Sequence, residues 1–289
     1  MARATEQAAQ APIRVIRVSD GGNDAGNDAV AVEEPMEIRL VQESAGGSIR
    51  RPIAVTMRTP GDDFELAVGF LFGEGIVRAR EDILDISYCL DDDVREEQYL
   101  NVVSVTVRPE LPIDLARVER NFYTTSSCGI CGKASLEALE LQACQPVASG
   151  PFAAPAIIRQ LPARLRAAQP VFRTTGGLHA AGLFDTDGTL IDLREDVGRH
   201  NALDKLIGRQ VILGRAPLDT QIMLLSGRAS FELLQKALMA RISIVAAVGA
   251  PSSLAVSLAE RFNITLCGFV RDDGFNIYTG AERLGFEPE

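Results

Sequence analysis

The second half of the chain alternates short apolar runs with amphipathic segments. QIMLLSG, SIVAAVG and ITLCGFVR are apolar runs bounded by small or polar residues, which is typical of buried strands. The segments between them, SFELLQKALMARI and SLAVSLAERFN, carry apolar residues at helical spacing. Strands that alternate with helices predict right-handed βαβ units in a parallel sheet. Residues 116–289 are therefore predicted to form an α/β domain.

The first half has a different pattern. EIRLVQ and RPIAVTMRT predict strands around the turn SAGGS, DDFELAVGFLFGEGIV predicts a helix that GEG ends, and ILDISYCL and YLNVVSVTVRP predict two further strands. Residues 33–115 thus read as a small α+β domain. Before them, residues 1–32 include SDGGNDAGNDA, which has neither helical nor strand periodicity, so they are predicted to be a disordered leader.

Between the halves, QPVASGPFAAPAIIRQLPARLRAAQP contains several prolines and predicts a linker with a short helix. A strand hairpin around FDTDGTLIDL follows it.

Composition and charge narrow the function classes. The chain has 289 residues, 29 Lys and Arg against 39 Asp and Glu, and a net charge of −10. An acidic chain has no overall positive field for a nucleic-acid backbone, so general nucleic-acid binding is not expected. No apolar stretch approaches the about 20 residues that a membrane span needs, and the start of the chain lacks a secretory signal. We expect a soluble protein of the cytoplasm, with no membrane partner.

Two cysteines carry the clearest chemical signal. Cys128 and Cys131 lie in TSSCGICGK, immediately before a strong helix-forming run. A thiol at the start of a helix meets unpaired N–H groups and a positive dipole end, which favour the reactive thiolate form. Lys133 adds a positive charge nearby. Such a thiolate could attack a persulfide, attack a disulfide or bind a metal, and spacing alone does not choose among them.

Three other interpretations of this pair compete. Structural zinc usually needs a second close pair, and Cys89, Cys144 and Cys267 occur singly, as packed small hydrophobes would. A thioredoxin-type redox pair has this spacing but normally lies early in a βαβ unit. A deaminase-type zinc site would use His179 as a ligand, yet the residue two positions later is Ala181 instead of the proton-shuttling Glu.

The two histidines, His179 and His200, both lie in polar, glycine-flanked strings. Each is either a satisfied structural histidine or part of a site. In REDVGRHNALDKLIG, a helix capped by Asp196 would place Arg199 within an apolar face and turn Lys205 away from it. Arg199 should then meet Glu195 or Asp196, or reach an anionic ligand.

Two loops between strands and helices are candidate anion sites. LLSGRAS and AVGAPSS place small polar residues where helix N–H groups converge on the carboxyl ends of parallel strands. Ser226, Arg228 and Ser252 are the candidate phosphate contacts, and Arg271 and Gly274 lie at a similar edge after the last of these strands. Neither loop matches a P-loop or a dinucleotide fingerprint.

Taken in order, several strings of the chain resemble one family. They are SSCGICGK, TGGLHAAGLF, REDVGRHNALDKLIG, SGRASFELLQKA, GAPSSLAVSLAERFNITLCGFVR and IYTGAERL, and the likeness runs from about Glu34 to Leu284. Together they resemble the formate dehydrogenase accessory sulfurtransferases, the FdhD family. The resemblance implies an α/β fold whose larger C-terminal domain has the three-layer architecture of cytidine deaminases, beside the smaller α+β domain.

The resemblance also implies an activity. Family members accept persulfide sulfur from a cysteine desulfurase and transfer it to the molybdenum cofactor, bis(molybdopterin guanine dinucleotide), before its insertion into formate dehydrogenase. The persulfide-bearing cysteine maps to Cys128 and the second cysteine to Cys131. The expected partners are the desulfurase, the catalytic subunit of formate dehydrogenase and, because the cofactor has two similar arms, a second copy of the chain.

The family's cofactor-binding stretch maps onto one short segment near the C-terminus. The bound cofactor acts as substrate, and no permanent metal is expected. Asp272 and Asp273 make this segment more acidic than the family pattern, beside a ligand that is itself an anion. The mapped residues are Phe269, Val270, Arg271, Asp272, Asp273 and Gly274.

Two other functions remain open from the sequence. The first is a chaperone that binds the molybdenum cofactor without sulfur transfer. The second is a zinc-dependent hydrolase of the deaminase type.

Overall fold

The structure is a computed structural model that describes residues 7–44, 47–89, 96–113, 145–148 and 150–287. Within these ranges the strands form a two-stranded, a four-stranded and a six-stranded sheet. Cys128, Cys131 and Cys144 lie outside the described residues.

The two-stranded sheet is a hairpin near the N-terminus. Strands β1 (Gln10–Ser19) and β2 (Gly22–Ala31) pair antiparallel along their full length. The prediction of a disordered leader is therefore wrong for residues 10–31. The sequence of β2 is rich in Gly, Asn and Asp and has little strand propensity of its own. Main-chain pairing to β1, which is rich in β-branched residues, supplies the order that local periodicity did not show.

The four-stranded sheet holds the strands predicted for the first half. They are β3 (Glu34–Ser44), β4 (Gly47–Arg58), β5 (Ile83–Tyr88) and β6 (Val102–Val107), in the order β4-β3-β6-β5. The β3–β6 pair is parallel and the other pairs are antiparallel. Helix α1 (Asp63–Gly73) follows β4, and short 3-10 helices occupy residues 80–82, 96–101 and 281–284.

The six-stranded sheet forms the centre of the second half. Its strands are β7 (His179–Phe184), β8 (Leu190–Asp196), β9 (Ile222–Leu225), β10 (Ile244–Ala247), β11 (Thr265–Gly268) and β12 (Asn276–Thr279). Their order is β12-β11-β10-β9-β7-β8, with β9, β10 and β11 parallel to one another. The predicted βαβ units are confirmed.

Helices cover both faces of this sheet. They are α2 (Pro155–Ala167), α3 (Pro170–Thr175), α4 (Arg199–Ile212), α5 (Phe231–Met239) and α6 (Ser253–Arg261). None of the described helices is both long enough and apolar enough to cross a membrane. The mixed α/β class predicted from the sequence is confirmed.

Alternate residues of the central strands enter two separate cores. Met223 and Leu225 of β9 pack with α1, α4, α5 and α6, while Ile222 and Leu224 pack with α2 on the opposite face. Every one of these strand side chains is nearly inaccessible to solvent. Strands buried on both faces appear in the sequence as continuous apolar runs, which explains why they were readily predicted.

A close crossing of α1 and α4 joins the four-stranded sheet to the six-stranded sheet. A Cβ atom at Gly69 of α1 would lie 1.8 Å from the main-chain oxygen of Asp204, and one at Gly208 of α4 would lie 1.9 Å from that of Glu65. Only glycine permits main chains this close. The apolar cluster beside the crossing includes residues from both predicted domains, so the two share one continuous core.

A buried ion pair lies next to this crossing. Lys205 Nζ is 2.7 Å from Asp196 Oδ2, and the two side chains are 1% and 0% exposed. Lys205 Nζ also donates to the main-chain oxygen of Thr59, and Asp196 accepts from the N–H groups of Thr59 and Gly198. The prediction that Lys205 points away from the apolar face is wrong, because its side chain is buried. Its ion-pair partner Asp196 belongs to β8, so a projection of the helix alone does not include it. Asp196 also precedes the cap, since α4 is capped at Gly198.

The glycine crossing predicts a large effect of one added methyl group. In Gly69→Ala the new Cβ must push α1 and α4 apart, at a cost of about 2 kcal/mol in the free energy of unfolding. That cost exceeds the about 1 kcal/mol that the better helix propensity of alanine contributes. Urea unfolding measures the difference. Gly21→Ala is the control, since its Cβ would meet nothing closer than Ser19 Oγ at 3.8 Å. An equal loss of unfolding free energy in Gly69→Ala and Gly21→Ala would contradict the close approach of the two helices.

Candidate functional site

Three loops meet at the carboxyl ends of the parallel strands. They follow β9, β10 and β11 and comprise residues 226–230, 248–252 and 269–275. Gly249 N donates to Gly227 O at 2.9 Å, and Phe269 N donates to Gly249 O at 3.1 Å. The loops are therefore fixed to one another by main-chain hydrogen bonds.

The antiparallel strand β7 brings the first histidine to the same edge. His179 begins β7 and pairs with Asp196, the last residue of β8, so the start of α4 also lies here. A Cβ at Gly227 would lie 3.4 Å from His179 Nδ1, so the ring packs directly on this loop. Ala180 N donates to Ser226 Oγ at 2.8 Å, which ties β7 to the loop after β9.

A cavity of about 830 Å³ opens at this edge, between the loops and the segment that contains α2 and α3. Its size is in the range of cavities that bind small molecules and cofactors. The lining residues are Pro162, Ala163, Leu165, Arg166, Gln169, Phe172, Gly176, Gly177, Leu178, His179, Ser226, Val248, Val270, Arg271, Asp272 and Asp273.

The cavity brings together part of the predicted cofactor site. Ser226, Val270, Arg271, Asp272 and Asp273 line it, although they come from two different loops. The turn that carries Arg271 is closed by a hydrogen bond from its N–H to the Gly274 oxygen at 2.8 Å.

The other predicted residues of this edge lie around the cavity and do not line it. Phe269 has a positive φ of 54° and is 41% exposed, and Arg228 is also exposed. Gly274 closes the turn after Arg271. Ser252 caps α6 instead, accepting a hydrogen bond from Ala255 N.

Several lining residues were not anticipated, because they come from the segment predicted as a linker. Arg166 of α2 lies 5.3 Å from the ring centroid of Phe172, in a cation–π contact. Phe172 is positioned by Glu195, whose carboxylate accepts from the N–H groups of Val171 and Phe172 at the start of α3. The sequence did carry one signal for these lining residues, which is their positive charge. Residues 155–175 contain four arginines and no acidic residue.

The described cysteines lie in apolar clusters, as predicted, although Cys89 Sγ also accepts a hydrogen bond from Arg39 Nη1 at 3.4 Å. Cys89 and Cys267 are buried, and burial raises the pKa of the Cys267 thiol to about 12. Cys267 is therefore protonated at neutral pH and a poor nucleophile. Among the described residues, no group of three or more His, Cys, Asp and Glu side chains is placed to hold a metal ion. The predicted catalytic residues, Cys128 and Cys131, lie outside the described ranges.

Both histidines are biased towards the neutral form. Burial and then the positive charge of Arg199 lower the pKa of His179. The same causes, followed by Lys236, lower the pKa of His200 to about 4. His200 Nε2 lies 3.4 Å from Ser230 Oγ, at the start of α5. At neutral pH the two rings can thus donate and accept hydrogen bonds without carrying charge.

Comparison with known proteins now identifies the family. The model of the FdhD/NarQ family matches residues 31–285. The chain belongs to the FdhD/NarQ family.

Relatives of this FdhD/NarQ protein agree over nearly its full length. It is 50% identical over 286 residues to the sulfur carrier protein FdhD of Streptomyces coelicolor, which covers 98% of this chain and 97% of the relative. It is 52% identical over 278 residues to the sulfur carrier protein FdhD of Mycolicibacterium paratuberculosis, covering 94% and 97%. The family indicated by the sequence motifs is confirmed.

A solved structure supports the fold. A formate dehydrogenase accessory protein from Desulfotalea psychrophila superposes with a TM-score of 0.72 at 25% identity, covering 96% of this chain and 100% of that one.

The environment of His200 predicts how stability depends on pH. Its folded pKa is about 4 against an ordinary 6.5, so the unfolded chain takes up the proton first as the pH falls. The contribution of neutral His200 to stability is present above pH 6.5 and is lost as the pH falls towards 4. The free energy of unfolding of the wild type minus that of His200→Gln should therefore decrease as the pH falls from 6.5 towards 4. Urea unfolding at several pH values measures it, and a constant difference would contradict the assigned environment.

Proposed function

We propose that the chain is a sulfur carrier of formate dehydrogenase maturation. In this proposal it accepts sulfur from a cysteine desulfurase as a persulfide and transfers it to the molybdenum cofactor, bis(molybdopterin guanine dinucleotide), before the cofactor enters formate dehydrogenase. Membership of the FdhD/NarQ family and the sulfur-carrier names of its relatives support the proposal. The bound cofactor is the substrate, and the reaction takes place in the cytoplasm.

Cys128 is the proposed sulfur-bearing residue. Its thiolate attacks the outer sulfur of the desulfurase persulfide, the S–S bond of that persulfide breaks, and the desulfurase cysteine leaves as a thiolate. Cys128 then carries a persulfide whose terminal sulfur is presented to molybdenum. Cys131, three positions further on, is the second cysteine of the proposed catalytic pair. The high pKa of buried Cys267 argues against that residue as a competing acceptor.

The cavity at the carboxyl edge of the sheet is the observation that carries the proposal. It unites Ser226 with Val270, Arg271, Asp272 and Asp273, which the family resemblance and the loop pattern had assigned to the cofactor. The volume of about 830 Å³ suits one guanine nucleotide arm. Arg271 and Arg166 would face its phosphates from two different segments, and Arg228, Phe269 and Gly274 lie at the rim.

The shape of the substrate favours a homodimer. Because one cavity of this size holds one arm of a two-armed cofactor, a second copy of the chain would hold the other arm around a two-fold axis. The six-stranded sheet with helices on both faces supports the cytidine deaminase-like, three-layer description of the larger domain.

Sulfur loading at Cys128 is the direct test. After incubation with a cysteine desulfurase and cysteine, intact-protein mass spectrometry should show one added sulfur atom in the wild type and in Cys267→Ala, and none in Cys128→Ala. Cys128→Ala should also fail to restore formate dehydrogenase activity in cells that lack the carrier, while unfolding at the same temperature as the wild type. Cys131→Ala, treated in parallel, shows whether the second thiol also receives sulfur.

Two results would contradict sulfur transfer. If no sulfur is added to any variant while guanine nucleotides still bind, the chain is a cofactor-binding chaperone. Stoichiometric zinc in the purified protein would instead favour the other function left open by the sequence, a zinc-dependent hydrolase of the deaminase type.

The charges of the cavity predict opposite effects on nucleotide affinity. Arg271→Gln removes a cation and should weaken binding of guanosine diphosphate, whereas Asp273→Asn removes an anion and should strengthen it. Both residues are exposed, so each change should be about two- to five-fold. Isothermal titration calorimetry at low salt measures the affinity of each variant for guanosine diphosphate. Arg215→Gln is the control, since Arg215 is exposed after the C-terminal end of α4 and does not line the cavity. Changes of the same sign in the two cavity variants would contradict the assignment.

A further inference from the structure

The hairpin of β1 and β2, residues 10–31, is an arm whose base is held against α3. Gln10 Oε1 accepts a hydrogen bond from Thr174 Oγ1 at 2.6 Å. At the other strand, a Cβ atom at Gly177 would lie 3.6 Å from Ala31 Cβ. The position of the arm on the rest of the chain is therefore defined by contacts of both of its strands.

The distal half of the arm exposes apolar side chains of β1. Ile13, Ile16 and Val18 are 46%, 70% and 81% exposed. A two-stranded hairpin is at best marginally stable in water, and three or more strands are needed for independent stability. The arm would therefore gain stability from a further strand at one of its edges.

The register of the hairpin shows which main-chain groups face outwards. Val32 N donates to Ala9 O at 2.9 Å, so the odd-numbered residues of β1 direct their main-chain groups towards β2. The N–H and C=O groups of Arg14, Ile16 and Val18 then point away from the hairpin. Within the described part of the chain, these outward groups have no hydrogen-bond partner.

The outer edge of β2, by contrast, is closed by side chains of the arm itself. Asn27 O accepts from Arg17 Nη2 at 2.8 Å, and Ala29 N donates to Asp28 Oδ1 at 2.9 Å. By the register, both main-chain groups lie on the outer side of β2. Charged side chains at a strand edge hinder the addition of another strand, whereas an open edge is a template for pairing. The outer edge of β1 is therefore the edge that can accept a strand.

The sequence of β1 is suited to pairing with itself. In an antiparallel pair of two copies centred on Ile16, the two Ile16 residues face each other and Arg14 of each copy faces Val18 of the other. Each of these facing pairs exchanges two N–H···O=C bonds, so all the outward groups are used. The exposed isoleucine and valine side chains then pack across the two strands, which stabilises a sheet.

The neighbouring registers are less favourable. Centring the pair on Arg14 or Arg17 would place two arginines opposite each other, which is destabilising. Centring it on Val15 would require an N–H group from Pro12, which has none. In the Ile16 register, the Arg17 side chains point away from the new contact, because each guanidinium lies over Gly26 of its own β2.

This pairing closes at two copies. It produces a four-stranded sheet with a β2 strand at each outer edge, and both of these edges are blocked by the contacts of Arg17 and Asp28. Further copies therefore cannot add to the sheet, and the assembly has two-fold symmetry.

We propose that β1 is a dimerisation strand, which pairs antiparallel with β1 of a second copy of this chain around Ile16. The proposal goes beyond the function proposed above, because it is drawn from the arm alone and does not require sulfur transfer.

Sedimentation velocity of the full chain tests the pairing. The wild type should be a dimer at about 100 µM. Ile16→Lys places two ammonium groups opposite each other and should raise the dimer dissociation constant about ten-fold or more. Ile13→Lys is the matched control, since it makes the same change at an exposed position of the same strand but on its opposite face, where it would face Ser19. The dissociation constant of Ile13→Lys should stay within about two-fold of the wild type.

A cross-link tests the register without adding charge. The Cα atoms of a facing, hydrogen-bonded pair are about 5.5 Å apart, which is within the range of a disulfide. Mild oxidation of Ile16→Cys should therefore join two copies, and mass spectrometry of digested protein should find the two identical peptides bridged at position 16. Ile13→Cys, treated in parallel, should give no bridge at position 13.

Three results would overturn the proposal. A monomeric wild type at about 100 µM would leave the edge of β1 to a strand of a different protein. A dimer that is equally stable in folded Ile16→Lys would place the interface elsewhere, and thermal unfolding checks that each variant is folded. Absence of the bridge in oxidised Ile16→Cys would exclude the register. Sulfur loading of Cys128 is measured separately by mass, so its failure would remove the sulfur-carrier function and leave the pairing of β1 untouched.

Discussion

The buried carboxylate of Asp196 is the constraint on which the arrangement of the site depends. Its side chain is fully buried and is paired with Lys205, which is itself almost fully buried. Hydrogen bonds from Thr59, Gly198 and Asn201 complete its coordination. A buried ion pair is stable only when such additional bonds offset the loss of water. These bonds connect the end of β4, the end of β8 and the start of α4, so one carboxylate determines where α4 begins.

The position of that helix start determines the chemistry available at the sheet edge. Residues 194–200 occupy adjacent positions but serve different structures: Arg194 reaches Glu65 of α1, Glu195 holds α3, and Asp196 pairs with Lys205. Arg199, the first residue of α4, is partly exposed and adds a positive charge at this edge. The same charge, together with burial, keeps His179 and His200 neutral. The edge therefore combines the cations Arg166, Arg199 and Arg271 with the anions Asp272 and Asp273, in a chain whose net charge is −10.

The α/β half of the fold was predictable because its signals are local. Each central strand is a short apolar run and each helix has its own periodicity, so no knowledge of a partner was needed. Strand β2 was missed because its order comes from pairing with β1. Lys205 was placed wrongly because a helical projection assumes that charged side chains face water, and it does not include a buried partner from another element. Both errors concern interactions between segments.

The candidate site was predicted in part for the same reason. The loops after the parallel strands were identifiable because the carboxyl edge of a parallel sheet is a general ligand position. Arg166, Gln169 and Phe172 were missed because they lie in a proline-rich stretch that was interpreted by composition alone. Their contribution depends on Glu195, which is remote in the sequence and adjacent in the fold.

The glycine contact between α1 and α4 has a consequence for how the protein is handled. Because Gly69 and Gly208 allow the two helices to share one apolar interface, a fragment ending between the predicted domains would expose half of that interface to water. Neither fragment would retain a complete core, and the freed apolar surfaces would promote aggregation. The two sheets should accordingly melt in a single cooperative transition, and chimeras between relatives should exchange α1 and α4 together.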